Sequence, residues 1–389
     1  MSDILARTKQ ILADLVAFPS ISADGNRAVT EHIAALLGAA GVPYWLEPDA
    51  TGTKLNLFAT IGPDVPGGVV LSGHTDVVPV EGQPWTSDPF AMIERDERLY
   101  GRGTCDMKGF VAACLAMAPE FAARDLKVPV HFAFTYDEET GCHGAQALTA
   151  SLAARELRPA AALIGEPSML APVEGHKGCF EYTTRFTGLE GHGSRPELGV
   201  NAVEYAAIWV QKLVALREEM KTRTPTGSAF VPPFTTINVG VLAGGVAHNV
   251  IPGAARIEWE MRPVQPEDAA FVKAELAALR ETLLAEMRRI FPNAAIETET
   301  VAEVVGLTPD PDSAATRLAM DLTGANCAGL VPFGTEAGLF QAIGIPSVIC
   351  GPGDIAQAHK PDEFLSVEQL DGCLTLLGKL AERLERGPL

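Results

Sequence analysis

Five short segments of this chain bring together histidine and carboxylate side chains, and four of them follow apolar runs that have the composition of β-strands. Imidazole nitrogens and carboxylate oxygens are ligands that zinc takes in proteins, and a carboxylate can also carry a proton during hydrolysis. The chemistry to consider is therefore metal-assisted hydrolysis or acid–base catalysis without a metal. The segments cover residues 69–76 (VVLSGHTD), 100–109 (YGRGTCDMKG), 134–141 (FTYDEETG), 161–168 (AALIGEPS) and 350–363 (CGPGDIAQAHKPDE).

The first segment places a histidine after an apolar strand and an aspartate two residues later. A zinc-ligating imidazole usually donates its second ring N–H to a carboxylate, which fixes the tautomer and orientation of the ring. His74 is therefore a candidate metal ligand, and Asp76 is the candidate carboxylate that accepts its second ring N–H. A His-x-Asp sequence on its own is more often a surface turn.

The second and third segments present acidic residues in two different ways. Asp106 stands in a glycine-flanked loop before an apolar helix, where an aspartate can ligate a metal or cap the helix. Glu138 and Glu139 end a predicted strand, and neighbouring strand residues point to opposite sides. One of these glutamates can therefore ligate a metal while the other faces substrate as a proton carrier. A solvated acidic turn is the alternative, although a cation would relieve the repulsion among the acids.

The elements that must position these residues alternate between strand and helix. Glu166 also ends an apolar strand, and His359 follows a strand and a glycine-containing loop. The carboxyl ends of neighbouring strands in an open α/β sheet form the ligand-binding edge, so two imidazoles and four carboxylates should converge there. Two zinc ions about 3.5–4 Å apart need about this ligand set. The predicted strands cover 55–61, 69–72, 128–136 and 160–164, and a predicted helix covers 109–124.

The pattern changes after residue 178. Residues 179–187 alternate like a half-exposed strand, and the order that follows is helix, two strands, helix and strand. That βαββαβ order is typical of a ferredoxin-like α+β domain. We therefore predict a catalytic α/β domain with a mostly parallel sheet over 1–178 and 301–389, interrupted by an inserted domain over 179–300.

Composition narrows the class of protein. With 30 basic and 49 acidic residues the net charge is −19, which disfavours nucleic acid and anionic membranes as partners. No apolar run approaches the roughly 20 residues of a membrane span, and the N-terminus lacks the apolar stretch of a signal peptide. Seven scattered cysteines without a CxxC pair favour reduced thiols and a cytoplasmic location.

The five segments in this order resemble the M20 family of metallopeptidases and amidohydrolases over nearly the whole chain. The motifs SGHTDVVP, LYGRGTCDMKG, DEETG, IGEPS and GHGSRPELGVNA carry the resemblance together with a late histidine. The segments CGPGDIAQAHKPDEF, EGHKG and FGTEAG look most like the branch that deacetylates N-acetyl-L-ornithine in arginine biosynthesis. Cys105 and His143 depart from the small residues often found beside these motifs, but neither replaces a ligand.

The resemblance implies a centre with two zinc ions per subunit, for which cobalt can substitute. Asp106 would bridge the two ions. His74 and Glu166 would complete one site, and Glu139 and His359 would complete the other. A zinc-activated water would then attack the amide carbonyl of a small N-acyl amino acid.

The resemblance also implies the residues that act beside the metals. Glu138 would be the general base, and Asp76 would support His74. The inserted domain would mediate a homodimer and lend His192 to the partner subunit's active site, where it would stabilise the oxyanion. Asn249 and Arg262 match family positions that hold the substrate carboxylate.

The choice of substrate is the most open part of the prediction. We hypothesise that Glu336, in the FGTEAG segment, faces the δ-ammonium of ornithine. His248 could line the substrate pocket, whereas His176 and Lys177 fit an interdomain hinge better. Alternatives within the family are succinyl-diaminopimelate desuccinylase, a dipeptidase and a broader N-acyl-amino-acid deacylase. A metal-free glycosidase would leave both candidate histidine ligands idle, and a non-catalytic binding protein would be expected to lack part of this set.

Overall fold

The computed structural model describes residues 2–389, which divide into two compact units. The first unit contains the chain up to Gly175 together with Pro309–Leu330 and Thr335–Leu389, and the second contains His176–Thr308 and Val331–Gly334. The predicted insert began at 179 and ended at 300. The second unit ends later because its last strand continues to Val304, four residues beyond the predicted strand end.

The first unit is an α/β structure, as the alternation of strands and helices predicted. Its helices are α1 (Ser2–Val16), α2 (Arg27–Ala39), α3 (Gly109–Ala122), α4 (His143–Ala154), α7 (Ala314–Thr323), α8 (Ala337–Ala342) and α9 (Val367–Leu384). Its strands are β1 (Tyr44–Pro48), β2 (Leu55–Ile61), β3 (Val69–His74), β4 (Ile93–Arg95), β5 (Arg98–Tyr100), β6 (Val130–Thr135), β7 (Ala161–Pro167), β8 (Val173–His176), β15 (Gly329–Val331), β16 (Ser347–Gly351) and β17 (Phe364–Ser366).

The main sheet has eight strands in the order β1-β2-β6-β3-β7-β16-β8-β15. Its four central strands, β6, β3, β7 and β16, are parallel, whereas β1, β2 and β8 pair antiparallel with their neighbours. The apolar run of β2 therefore indicated burial correctly but not a parallel direction. Because the central strands are parallel, their carboxyl ends lie at one edge of the sheet. A small separate sheet has the order β17-β5-β4.

Helix α3 connects the core to this edge. It is apolar on nearly all sides because it packs against α1, α2 and α9 as well as against strands of the sheet. Helices α1, α2, α3, α7 and α9 share one apolar core with alternate side chains of the central strands. Burial of α3 thereby anchors the loop that immediately precedes it, which contains Asp106.

The second unit has the predicted ferredoxin-like order. The elements are β9 (Cys179–Thr187), β10 (Gly191–His192), α5 (Ala202–Thr222), β11 (Thr236–Gly244), β12 (Val250–Ile251), β13 (Ala254–Arg262), α6 (Pro266–Met287) and β14 (Ala295–Val304). The main strands form an antiparallel sheet, β11-β13-β9-β14, whose inner face packs against the two long helices around Trp209 and Met261.

Two further expectations concern the chain as a whole. None of its helices within residues 2–389 is both long enough and apolar enough to cross a membrane. The cysteines in the same residues are all free thiols, and Cys327 is the exposed one.

Glycine allows α3 to begin close to two strands of the sheet. A Cβ atom at Gly165, in β7, would lie 2.1 Å from the ring of Phe110, and one at Gly73, in β3, would lie 2.7 Å from Cε of Met107. Real carbon atoms cannot approach so closely, so any larger residue forces the helix and the strands apart. Both glycines directly precede candidate metal ligands, which makes this contact part of the site's framework.

We predict that Gly165→Ala lowers the thermal unfolding midpoint, because overpacking of this kind costs about 1–3 kcal/mol. Gly378→Ala is the matched control, since a Cβ at this position in α9 meets no neighbouring atom within 4 Å among the described residues. Alanine in a helix interior is favoured over glycine by about 0.5–1 kcal/mol, so the control should unfold at the same or a higher temperature. Thermal melts followed by circular dichroism measure both, and equal midpoints would contradict the packing argument.

Candidate metal centre

His74 ends β3 and is completely buried. Its Nε2 lies 3.1 Å from Oδ1 of Asp106 and 3.8 Å from Oε1 of Glu166. Its other ring nitrogen, Nδ1, lies 2.9 Å from the backbone oxygen of Asp76. A proton on Nδ1 would be held by that carbonyl, which leaves Nε2 as the lone-pair nitrogen facing the two carboxylates.

Asp106 stands between two groups of side chains. Its Oδ1 faces His74, while its Oδ2 lies 3.4 Å from Nε2 of His359. The same His359 nitrogen lies 2.9 Å from Oε2 of Glu139. One carboxylate thus presents one oxygen to each histidine, which is the arrangement that a ligand shared by two metal ions requires.

The two neighbouring glutamates are separated differently from the sequence prediction. Strand β6 ends at Thr135, and Glu138 and Glu139 lie in the turn that follows, so strand alternation does not direct them. They nevertheless diverge. Glu138 groups with His74 and Glu166, with ligand atoms mutually within 4.8 Å, whereas Glu139 groups within the same distance with His74 and Asp106.

Asp76 organises this turn, a contact that the sequence did not predict. Its Oδ1 accepts the backbone N–H of Glu138 (3.2 Å), and its Oδ2 accepts that of Glu139 (3.4 Å) and the hydroxyl of Ser22 (2.7 Å). Its Oδ1 lies 3.5 Å from Nδ1 of His74, farther than the backbone oxygen of Asp76 itself. The carboxylate of Asp76 therefore positions the glutamate turn more directly than it positions His74.

Burial and mutual repulsion govern the electrostatics. Burial raises the pKa of Glu138 and of Glu166 well above the ordinary glutamate value, and neighbouring carboxylates raise both further. Burial and the charge of Asp106 raise the pKa of Glu139 to about 7. Burial also acts to raise the pKa of Asp106, but hydrogen bonds with His359 and His74 outweigh it, and the pKa is lowered.

The residues present fit a pair of cations. Oε1 of Glu166 is buried yet has no hydrogen-bond partner among the residues that the structure describes. An unsatisfied buried carboxylate oxygen is costly, and a metal ion is one of the few groups that satisfies it. The donor set of imidazole nitrogens and carboxylate oxygens suits zinc, and it also suits other first-row divalent ions.

Glu336, hypothesised to face the substrate ammonium group, has a carboxylate that is hydrogen-bonded to two hydroxyl groups. It is only 1% exposed, its Oε1 accepts the hydroxyl of Ser72 (2.6 Å), and its Oε2 accepts that of Thr135 (2.8 Å). Ser72 lies within β3, and Thr135 pairs with His74 across β3 and β6. Both oxygens are thus committed to the strands that carry the site, which favours support of the sheet over contact with a substrate ammonium group.

Three predicted site residues belong to the second unit. His192 is exposed, and its Nδ1 accepts the backbone N–H of Ser194 (3.2 Å). That contact leaves the proton of a neutral ring on Nε2, where it can be donated. The backbone oxygen of Asn249 accepts the N–H of Gly193 (2.8 Å), which places Asn249 beside His192. The close approach requires glycine at 193, since a Cβ there would lie 2.9 Å from the backbone of Asn249.

Arg262, the third, is half-buried, and its Nη2 donates to Oε2 of Glu260 (2.9 Å). Lys177 is buried in the same unit and donates to the backbone oxygen of Phe234 (2.9 Å). The contact of Lys177 is that of a structural residue, and its place in an interdomain hinge stays a prediction.

Sequence reasoning missed several residues that support the site. Ser22, Ser72 and Thr135 act through hydroxyl groups, and no local pattern distinguishes such a hydroxyl from those on any other strand or turn. Glu363 was a recognisable part of the last segment, but its role was not predicted. It is buried and accepts hydrogen bonds from the loop that contains Asp106.

Comparison with known proteins places these features in a family. The family model described as peptidase family M20/M25/M40 matches residues 70–383. An acetylornithine deacetylase from Proteus mirabilis is 36% identical over 381 residues, which cover 96% of this chain and 95% of that protein.

Solved structures agree on the fold. An M20 family metallo-carboxypeptidase from Sulfolobus solfataricus superposes with a TM-score of 0.77 at 18% identity, covering 97% of this chain and 99% of that one. A dinuclear metal binding peptidase of the M20 family from Bacillus subtilis gives a TM-score of 0.68 at 18% identity, covering 99% of each chain. The chain is therefore a hydrolase of the M20/M25/M40 peptidase family.

Proposed function

We propose that this protein hydrolyses the amide bond of N-acetyl-L-ornithine at a centre of two metal ions, releasing L-ornithine and acetate. The observation that carries the proposal is the position of Asp106, with one oxygen toward His74 and the other toward His359. The similarity to the Proteus mirabilis acetylornithine deacetylase over nearly the full length of both chains supports the choice of substrate.

We propose the ligand set that the resemblance to the family implies, and the proximity of these side chains supports it. Asp106 would be shared by the two ions, with His74 and Glu166 on one side and Glu139 and His359 on the other. We propose zinc as the ion in both positions, with cobalt as a substitute. Two such cations acidify a water molecule and polarise the carbonyl of a bound amide.

The residues of the chain would then move the proton. Glu138 takes a proton from the attacking water as the oxygen adds to the acyl carbon, and it returns a proton to the nitrogen as the C–N bond breaks. Without a metal ion, burial raises the pKa of this carboxyl above the ordinary glutamate value. Asp76 keeps Glu138 in place by accepting its backbone N–H.

We propose that the second unit lends His192 to the active site of the partner subunit. Because Ser194 donates to Nδ1 of His192, the Nε2–H of that ring can donate to the oxygen that gains negative charge during attack. We propose that Asn249 and Arg262 hold the substrate carboxylate. Arg262 uses Nη2 and Nε toward Glu260, and a guanidinium has five N–H donors, so others remain for a carboxylate.

The first test is metal-dependent release of amine from N-acetyl-L-ornithine. Protein stripped with a chelator should be inactive and should regain activity as zinc or cobalt is added, in proportion to the binding of two ions per chain. A protein that binds two ions without releasing ornithine would contradict the substrate but not the hydrolase. Succinyl-diaminopimelate, dipeptides and neutral N-acyl amino acids would then identify the substrate among the alternatives.

Glu138→Gln tests the proton carrier separately from the metal. The side-chain amide of the introduced glutamine cannot take a proton from water, so we expect turnover to fall by about 10²–10⁴-fold. Metal content, measured by atomic emission, should stay close to two ions because Glu138 is not among the proposed ligands. Full turnover in this variant would remove Glu138 from the mechanism, and loss of an ion would make it a ligand.

Glu336→Gln distinguishes support of the sheet from recognition of ornithine. Because Ser72 and Thr135 occupy both carboxylate oxygens, we expect the substitution to change kcat/KM by the same factor for N-acetyl-L-ornithine and for neutral N-acetyl amino acids. A rise in KM confined to N-acetyl-L-ornithine would restore the ammonium contact. Steady-state kinetics on the two substrates, side by side, give the comparison.

We also propose that the second unit forms a homodimer. Strand β11 lies at the edge of its sheet, where unpaired backbone groups can bind another strand, and it exposes Leu242 (49%). The neighbouring helix α5 exposes Ile208 (39%) and Val214 (38%). Sedimentation equilibrium should give twice the 41.1 kDa of the chain, and a monomer at micromolar concentration would contradict the proposal.

A further inference from the structure

Glu363 is a buried carboxylate that serves backbone donors rather than a metal. Only 1% of the residue is exposed. Its Oε1 accepts the N–H groups of Cys105 (2.8 Å) and Asp106 (3.1 Å), and its Oε2 accepts the N–H of Gly103 (3.0 Å) and Nη1 of Arg102 (2.7 Å). Four donors from one five-residue stretch therefore meet on a single side chain.

The loop that provides these donors cannot satisfy them by itself. Gly103 has a left-handed backbone (φ 82°), and Asp106 (φ −120°, ψ 92°) and Met107 (φ −134°, ψ 35°) depart from helical geometry before α3 begins. The buried backbone N–H groups of this loop therefore lack the carbonyl partners that a regular helix would provide. A buried backbone N–H without a partner is costly, so this loop conformation depends on an acceptor from elsewhere in the chain.

Glu363 also joins this loop to the other ligand-bearing loop. It follows His359 by four residues and directly precedes β17, which pairs with β5. Its backbone oxygen accepts the N–H of Gly101 (3.0 Å). One residue thereby ties the segment of Asp106 to the segment of His359, although the two segments are far apart in sequence.

Arg102 fixes the carboxylate from the far side. Its Nη2 donates to Oε1 of Gln83 (2.6 Å), and its guanidinium lies 5.0 Å from the ring centre of Trp85. The Nε2 of Gln83 in turn donates to the backbone oxygen of His359 (3.0 Å). The contacts of Glu363 therefore belong to a hydrogen-bond network that links the two loops, and they are not an isolated ion pair.

We propose that Glu363 is a positioning residue for the metal centre: it holds the 103–106 loop so that Asp106 keeps one oxygen toward each histidine. The inference rests on the proposed metal-dependent function. Residues that orient metal ligands without touching the metal typically change metal affinity by 10–100-fold when they are replaced. A merely structural ion pair would lower stability and leave metal affinity unchanged.

The test is the zinc affinity of Glu363→Gln, measured by competition with a chromophoric chelator, a readout that needs no catalysis. Each carboxylate oxygen of Glu363 accepts two of the four hydrogen bonds. Glutamine keeps one acceptor oxygen and replaces the other with an NH₂ group, so the loop loses about half of these hydrogen bonds. We expect zinc binding to weaken about 10–100-fold. Wild-type affinity in this variant would overturn the inference.

Asp268→Asn is the matched control. Asp268 is also 1% exposed and also accepts hydrogen bonds from an arginine, Arg223 (3.1 Å), and from neighbouring side chains, Thr235 (2.5 Å) and Gln265 (3.1 Å). It belongs to the second unit. Both variants should unfold at a lower temperature than the wild type, and only Glu363→Gln should bind zinc more weakly. An equal loss of zinc affinity in both variants would be an effect of general stability and would overturn the inference.

Two further arms keep the outcomes distinct. If Glu363→Gln does not fold, Glu363→Asp replaces it, since a shorter carboxylate keeps the charge but cannot reach all four donors, and unchanged zinc affinity in that variant would overturn the inference. A wild-type protein that binds two zinc ions but hydrolyses no N-acyl amino acid would overturn the proposed reaction and leave the role of Glu363 standing. A wild-type protein that binds no divalent ion would overturn both.

Discussion

The carboxylates at the carboxyl edge of the main sheet repel one another, and the surrounding structure is organised to hold them together. At 4 Å and an effective dielectric constant of about 20, two like charges repel by about 4 kcal/mol. A hydrogen bond to a charged group contributes about 1.5–3 kcal/mol. A single such bond cannot hold a ligand against its neighbours, so each acidic loop needs several. Asp76 accepts the N–H groups of Glu138 and Glu139, and Glu363 accepts those of Gly103, Cys105 and Asp106.

These two anchors are themselves acidic and would add to the repulsion if their charges were not compensated. Their negative charge, however, is stabilised by hydrogen bonds from backbone N–H groups and, for Glu363, from the guanidinium of Arg102. Oε1 of Glu166, in contrast, has no hydrogen-bond partner among the residues that the structure describes. The anchoring carboxylates are thus satisfied by the protein, whereas this oxygen remains available to a cation.

Much of the fold was predictable because its signals are local. The βαββαβ order of the second unit and the apolar strands β2 and β3 follow from periodicity, which depends on neighbouring residues alone. The convergence of His74, Asp106 and Glu166 was also predictable, since parallel strands bring their carboxyl ends to one edge. The antiparallel direction of β2 was not, because a buried strand reads as the same apolar run in either direction.

The parts of the site that escaped prediction depend on contacts between distant segments. Glu336 was predicted to be a specificity residue because an acidic side chain attracts a substrate cation. Its carboxylate accepts hydrogen bonds from hydroxyl groups of residues 264 and 201 positions away. Asp76 was expected to act on the ring of His74, and its carboxylate lies 3.5 Å from that ring but also binds a turn more than sixty residues later. Burial decides both cases, and burial of a single acid is a property of the tertiary packing that a linear pattern does not contain.

Two residues beside the motifs, Cys105 and His143, depart from the family pattern without replacing a proposed ligand. Cys105 contributes its backbone N–H to Glu363, a donor that every residue except proline supplies, and its thiol donates to the backbone oxygen of Asp354 (3.4 Å) away from the ligands. His143 is exposed at the first position of α4. The backbone of Cys105 thus contacts Glu363, and neither side chain belongs to the proposed ligand set. The constraint at Cys105 therefore falls on the backbone N–H that Glu363 accepts rather than on the thiol.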